Sequence, residues 1–278
     1  MEKATLQEPM QDKEIEWLNA YADEVLATFR TRFKSASDRF KTHQPLLDRF
    51  TSAVNSVKAN GRPLFRAVDE AHNELCVASA ILDNQKPEFA CLEYEPPIQG
   101  CAMSIDFLAT SDDLKIYVDV KTIKPVATDR WEQFEKAQAE GWLPGNVNVM
   151  LEKECLGGEF WHNMFAARSR MLEYSFELEQ KIAQGNLSDG RTLIVLVLCG
   201  EGFYWHEDEL EDFVNYYYSG THRGDDPFSK AEARYIHDKR IAIARTISRF
   251  ACMRRPQGDV LQKRLNWNVQ PPRYPHLS

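Results

Sequence analysis

Within residues 101–124 (CAMSIDFLATSDDLKIYVDVKTIK), Asp106, Asp119 and Lys121 are side chains of the types that can handle a divalent cation and a phosphate together. Carboxylate oxygens are hard ligands suited to Mg²⁺, and an ammonium beside them can meet negative charge developing on a phosphate. From 114 to 123, Leu114, Ile116, Val118 and Val120 alternate with Lys115, Tyr117, Asp119 and Lys121. That is the period of a strand, so Tyr117, Asp119 and Lys121 are expected on one face. Asp106 stands among Ile105, Phe107 and Leu108, in a run read as a strand over 104–109. An acid inside an apolar strand is costly unless something pairs with it. Ser111-Asp112-Asp113 is a tight polar turn between the two strands. If they pair around it, the two carboxylates and the ammonium converge on one surface.

The elements that must position these groups follow from periodicity. Apolar residues three and four apart predict a helix over 11–33, a second over 45–58 that Asn60-Gly61 ends, and a third over 64–82. In the third, Ala71, Leu75, Ala78 and Leu82 form the apolar stripe. Glu74 lies at its edge, and Ala71 and Ala78, one turn away on either side, leave its carboxylate room to point inward. A strand is expected over 89–94, stopped by Pro96-Pro97. An aromatic-rich excursion follows over 125–158, with a short helix at 129–140. A long helix over 159–184 ends at Gly185-Asn186. RTLIVLVLC (191–199) is nearly all aliphatic and fits a central strand buried on both faces. A partner strand is expected at 203–205, an acidic, aromatic helix at 207–218, a basic helix at 230–253, and an irregular tail. The order describes a mixed α/β core flanked by helical additions, in three regions: helical 1–61, core 62–205, and helical 206–278.

Bulk properties narrow the function classes. The net charge of −8 argues against a surface that binds polyanions everywhere. Two segments stand apart: residues 30–66 hold nine basic residues against two acidic, and residues 232–264 nine against three. Such basic stretches suit a polyanion. Candidate nucleic-acid contacts are Arg30, Arg32, Lys34, Arg39, Lys41, Arg62, Arg66, Arg168, Arg245, Arg249, Arg254 and Arg255. The six scattered cysteines form no CxxC pair and read as reduced core thiols of a cytoplasmic protein. The longest apolar run is too short to span a bilayer. No HExxH, Walker-type or GxSxG motif occurs, which leaves zinc, nucleotide hydrolysis and serine nucleophiles without support. The acidic, aromatic helix at 207–218 is a candidate docking element for a protein partner.

Glu74 on a helix, Asp106 on a strand and Asp119-Val120-Lys121 on the next strand come in a specific order. In this order the chain resembles the restriction-endonuclease-like, PD-(D/E)xK, phosphodiesterase superfamily. The resemblance covers residues 64–124 and extends loosely to about 205. Ile105 stands where the motif name has Pro, and Asp119 supplies the acid of the x-Lys motif. The resemblance implies a restriction-endonuclease-like mixed sheet and a metal-dependent nuclease, with DNA as the expected substrate. It implies Glu74, Asp106, Asp119 and Lys121 as catalytic residues. Asp106, Asp119, the Val120 carbonyl and Glu74 would hold Mg²⁺, with Mn²⁺ able to substitute. Lys121, expected to stay protonated beside the acids, would orient the attacking water. Many double-strand cutters need two active sites and hence two chains, so the resemblance leaves a homodimer open. The competing reading is a non-catalytic nucleic-acid- or protein-binding assembly protein on the same fold.

Overall fold

The structure, a computed structural model, describes residues 10, 12–34, 38–40, 42–60, 65–83, 88–112, 114–123, 160–187, 191–200, 207–219, 243–256 and 259–267. Among them are five helices: α1 (Asp12–Arg32), α2 (His43–Asn60), α3 (Phe65–Leu82), α4 (Phe160–Gly185) and α5 (Glu207–Ser219). There are six strands: β1 (Cys91–Tyr94), β2 (Phe107–Thr110), β3 (Lys115–Ile123), β4 (Thr192–Gly200), β5 (Arg249–Pro256) and β6 (Lys263–Asn266). The excursion over 125–158 and the expected strand at 203–205 lie outside the described residues.

The strands form one mixed sheet in sequence order. β1, β2 and β3 make an antiparallel meander, β4 runs parallel to β3, β5 parallel to β4, and β6 turns back antiparallel. The aliphatic strand β4 sits between two parallel neighbours with both faces covered, as its composition requires. Val195, Val197 and Cys199 join one core with α1, α2 and α3. Ile194, Leu196 and Leu198 join a second core with α4 and α5. Helices therefore cover both faces of the sheet.

Three expectations need correction. First, a basic helix was expected at 230–253; 230–242 lies outside the described residues, while 243–248 is not helical and Arg249 begins β5. The side chains explain the change: Phe250 and Cys252 fall in one core while Ala251 and Met253 fall in the other. A stretch buried on both faces at period two completes a sheet that β4 alone could not close. Second, no strand was expected at 263–266, yet Lys263–Asn266 pairs with β5; the tail expected to be irregular, 266–278, lies outside the described residues from 268 on. Third, α3 buries more than the one expected stripe. It is buried on every side from Ala71 to Ser79, including His72, Asn73, Glu74 and Ser79.

The aromatic face of α5 is also spent internally. Phe213, Tyr216 and Tyr217 are buried, and Phe213 and Tyr217 pack edge-on against Phe250. Only Tyr218 remains substantially exposed. No helix among the described residues is long and apolar enough to cross a membrane.

Candidate functional site

The site arises where β2 and β3 part. They pair from Thr110 opposite Lys115 to Phe107 opposite Val118, and β3 then runs on to Ile123 with β4 on its other side. N-terminal to Phe107 the chain keeps company with β1: the Glu95 amide donates to the Asp106 carbonyl at 2.8 Å. Asp106 is thus at the bend before β2, not inside a strand as expected. Its side chain takes the place of the missing ladder partner, and the Val120 amide donates to Asp106 Oδ2 at 2.6 Å. The amide and carbonyl of a strand residue leave on the same side, so the Val120 carbonyl also faces the gap.

Asp119 is fully buried on the α4 side of the sheet. Its Oδ1 accepts a hydrogen bond from Lys181 Nζ at 2.7 Å. Lys181, from the penultimate turn of α4, is itself buried and was not foreseen. Lys121 Nζ stands 3.2 Å from Asp119 Oδ2 as an ion pair, but is not aligned for a hydrogen bond, and that buried oxygen has no hydrogen-bond donor. The Lys121 ammonium lies 5.9 Å from the Tyr174 ring centroid. Burial works against its charge, but Asp119, Asp106 and Glu177 outweigh that and push its pKa up. Lys121 is therefore protonated, as expected.

Glu74 belongs to the opposite, α3 side of the sheet, and is only 3% exposed. Arg49 Nη2, from α2, is 3.0 Å from one carboxylate oxygen. The Tyr94 hydroxyl donates to the other at 3.0 Å, and Arg49 Nη1 donates to that hydroxyl at 3.0 Å. Neighbouring Asn73 donates to Thr122 Oγ1 at 2.8 Å, tying α3 to the free end of β3. Burial opposes the charge of Arg49, but Glu74, Tyr94 and, further off, Asp106 push its pKa up. Arg49 and Tyr94 were not assigned roles from sequence.

The acids therefore do not share one face. Asp119 and Lys121 are on the α4 side, Glu74 is on the α3 side, and Asp106 stands at the rim between them. Their electrostatics record this order. Burial, then repulsion from Asp119, raise the Asp106 pKa to about 7, against the pull of Lys121 and the Val120 amide. Burial, then repulsion from Asp106, raise Glu74 to about 8, against Arg49 and Tyr94. Lys121 and Lys181 at Asp106, and Arg49 at Glu74, oppose these shifts without cancelling the effect of burial.

Among the described residues, no three His, Cys, Asp or Glu side chains are placed to hold a metal ion together. Mg²⁺ does not demand such a cage, since one or two carboxylates, waters and a substrate phosphate suffice. Asp106, Asp119 Oδ2, which lacks a hydrogen bond, and the Val120 carbonyl are hard oxygen donors around one gap. The donor set fits a hard divalent cation.

The sheet register sorts the expected nucleic-acid contacts. Cys199 pairs with Met253, so Arg254 and Arg255 follow at the same sheet end as Lys121 and Cys199. They lie two strands from β3, about 10 Å, and are placed by backbone alone. Arg249 pairs with Val195 and so lies level with Val118, one residue short of the level of Asp119 and two strands from β3, and Arg245 precedes it. Arg30 and Lys34 are exposed at the end of α1. Arg32 is spent on Asp259 at 2.7 Å and Ser79 at 2.9 Å, and Arg39 leans on Glu88 at 3.4 Å. Arg66 and Arg168 are placed only as members of α3 and α4. Lys41 and Arg62 lie outside the described residues.

In comparisons with protein-family models, curated proteins and solved structures, nothing matches this chain.

Proposed function

We propose that this chain is a divalent-metal-dependent nuclease of the restriction-endonuclease-like kind, hydrolysing phosphodiester bonds of DNA. One observation carries the reading: at the gap between β2 and β3, a buried carboxylate oxygen of Asp119 lacks a hydrogen bond beside a lysine and a second acid, Asp106. The element order α3–β1–β2–β3–α4–β4, with β4 parallel to β3, also supports it. Asp106, Asp119 and the Val120 carbonyl would hold Mg²⁺ or Mn²⁺, with Glu74 completing the shell directly or through water. The cation would lower the pKa of a bound water and neutralise charge on the phosphate. Lys121, paired with Asp119 and with 22% of its side chain exposed, is the cation that would meet the water or the phosphate. Lys181, tied to Oδ1, keeps Asp119 aimed.

The test is cleavage of supercoiled plasmid and of linear duplex with Mg²⁺ or Mn²⁺. Wild type is expected to cut and Asp119→Ala to be inert. Equal inertness of both on DNA and RNA substrates defeats the reading.

A second reading has its own observation. Lys181 on Asp119 and Arg49 on Glu74 are internal counter-ions, as in a buried ion-pair network that only supports the fold. On that reading the chain is a non-catalytic binding protein, and calorimetry detects no Mn²⁺ uptake sensitive to Asp106→Ala.

A further inference from the structure

We propose that Arg49 is the phosphate-binding residue of this site, and that its ion pair with Glu74 is the counter-ion contact a divalent cation displaces. This rests on the nuclease reading and assigns a role to a residue outside the set expected from sequence.

The geometry is asymmetric. Glu74 is 3% exposed, whereas the Arg49 side chain is 41% exposed. Arg49 thus reaches from α2 onto a buried acid while part of its side chain stays exposed. Its Nη2 holds Glu74, its Nη1 holds the Tyr94 hydroxyl, and Glu95 lies 3.9 Å away. The Tyr94 hydroxyl also meets Glu74, so it can keep that carboxylate aligned when Arg49 lets go. A guanidinium is a planar fork of five donors that fits phosphate oxygens in pairs, as an ammonium cannot.

Charge balance gives the exchange its direction. Without a cation, Glu74 and Asp106 repel each other across the rim, and Arg49 is the nearest cation to Glu74. A divalent cation at Asp106 and Asp119 takes over the neutralisation of Glu74. Arg49 then has a surplus positive charge at the mouth of the gap, where the phosphodiester must sit to reach the metal. Metal and phosphate therefore bind cooperatively, each raising the affinity for the other by the same factor.

The experiment uses the full chain freed of metal, with Arg49→Gln and Arg49→Lys variants. MnCl₂ binding is measured by calorimetry. Binding of a short fluorescein-labelled DNA duplex is measured by anisotropy in CaCl₂ over a series of salt concentrations. Removing the competing cation in Arg49→Gln is expected to tighten Mn²⁺ binding by roughly threefold to tenfold. The same variant is expected to bind duplex about tenfold more weakly, with a salt slope shallower by about one. Arg49→Lys keeps the charge but not the fork: Mn²⁺ affinity stays near wild type while duplex affinity falls partway. It answers the question alone if Arg49→Gln does not fold. A residue that merely props up Glu74 gives weaker binding of both probes, and that result overturns the proposal, as does unchanged duplex affinity. If wild type binds neither Mn²⁺ nor duplex, the nuclease reading falls and this inference with it. If wild type binds both and the variants do not separate the two affinities, only this inference falls.

Discussion

Two groups of buried acids on this sheet are built in opposite ways. On α4, Glu179 is enclosed by donors. The Tyr217 hydroxyl donates to it at 2.6 Å, and the amides of Ala244 and Arg245 at 2.7 Å each. The same hydroxyl accepts from the Ile247 amide at 2.9 Å. This cluster pins the segment leading into β5 and satisfies each partner with neutral dipoles. At the other cluster, Asp119 Oδ2 has an ion pair with Lys121 but no hydrogen bond, and Asp106 is pushed toward protonation by burial and by Asp119, Glu74 by burial and by Asp106. A buried acid with all its lone pairs used is a fastener. Acids pushed toward protonation at an opening in a sheet are a place for something else to bind.

The largest effect should separate chemistry from fastening. Asp119→Asn is expected to cut the single-turnover cleavage rate about a thousandfold, the scale of losing a metal or oxyanion contact. Glu179→Gln should leave the rate per folded molecule within about threefold. Quench-flow assays normalised by circular dichroism check the pair, and similar losses in both would erase the distinction.

Stability should rank them the other way. Glu179→Ala strands several buried donors and is expected to cost about 3 kcal/mol in urea unfolding. Asp106→Asn relieves repulsion at the rim and is expected to be neutral or slightly stabilising in metal-free protein.

The next effect is a pH dependence of the rim. Glu74 and Asp106 have folded pKa values near 8 and 7, above their ordinary 4.5 and 3.8. Between about pH 4 and 8 the folded state keeps protons that the unfolded state has released. Their contribution is therefore complete below about pH 4 and is lost as pH rises through 7 and 8. Metal-free Tm should fall over this window, and Glu74→Gln should flatten the fall. Because a cation binds the ionised acids, 1 mM Mn²⁺ should raise Tm more at pH 8 than at pH 6. Differential scanning fluorimetry reads all three.

The smallest effect tests which residues of β5 meet DNA. Arg249→Ala should leave duplex affinity within about twofold, whereas Arg254→Ala with Arg255→Ala should weaken it several-fold, each phosphate contact being worth a modest, salt-dependent amount. Anisotropy titrations decide it.

Much of this was legible before folding. Alternation at 114–123 placed Asp119 and Lys121 on one face, and the aliphatic run at 191–199 announced a strand covered on both sides. The stop after α4 was legible too: Asn186 takes a left-handed φ of 48°, and the Leu187 amide returns to the Ile182 carbonyl. A Cβ on Gly185 would collide with Ile98, so glycine lets the chain pass close there. The misreading at 243–253 has a physical cause. Its basic residues mimic a solvated helix face, while the apolar stretch 250–253 has a strand's burial pattern only once β4 lies beside it.

What the sequence determined by itself is local: the main strands and helices, and the side chains that share a strand face or a helix turn. These depend on backbone periodicity, which neighbouring residues carry. What only the tertiary structure decided is which distant groups meet the acids. Lys181 reaches Asp119 across 62 positions, and Arg49 reaches Glu74 from another helix. Asp106 bonds the Val120 amide because β2 leaves β3 one residue after it could have continued pairing. Those contacts depend on how α2 and α4 pack on opposite faces of the sheet, and no spacing along the chain encodes that.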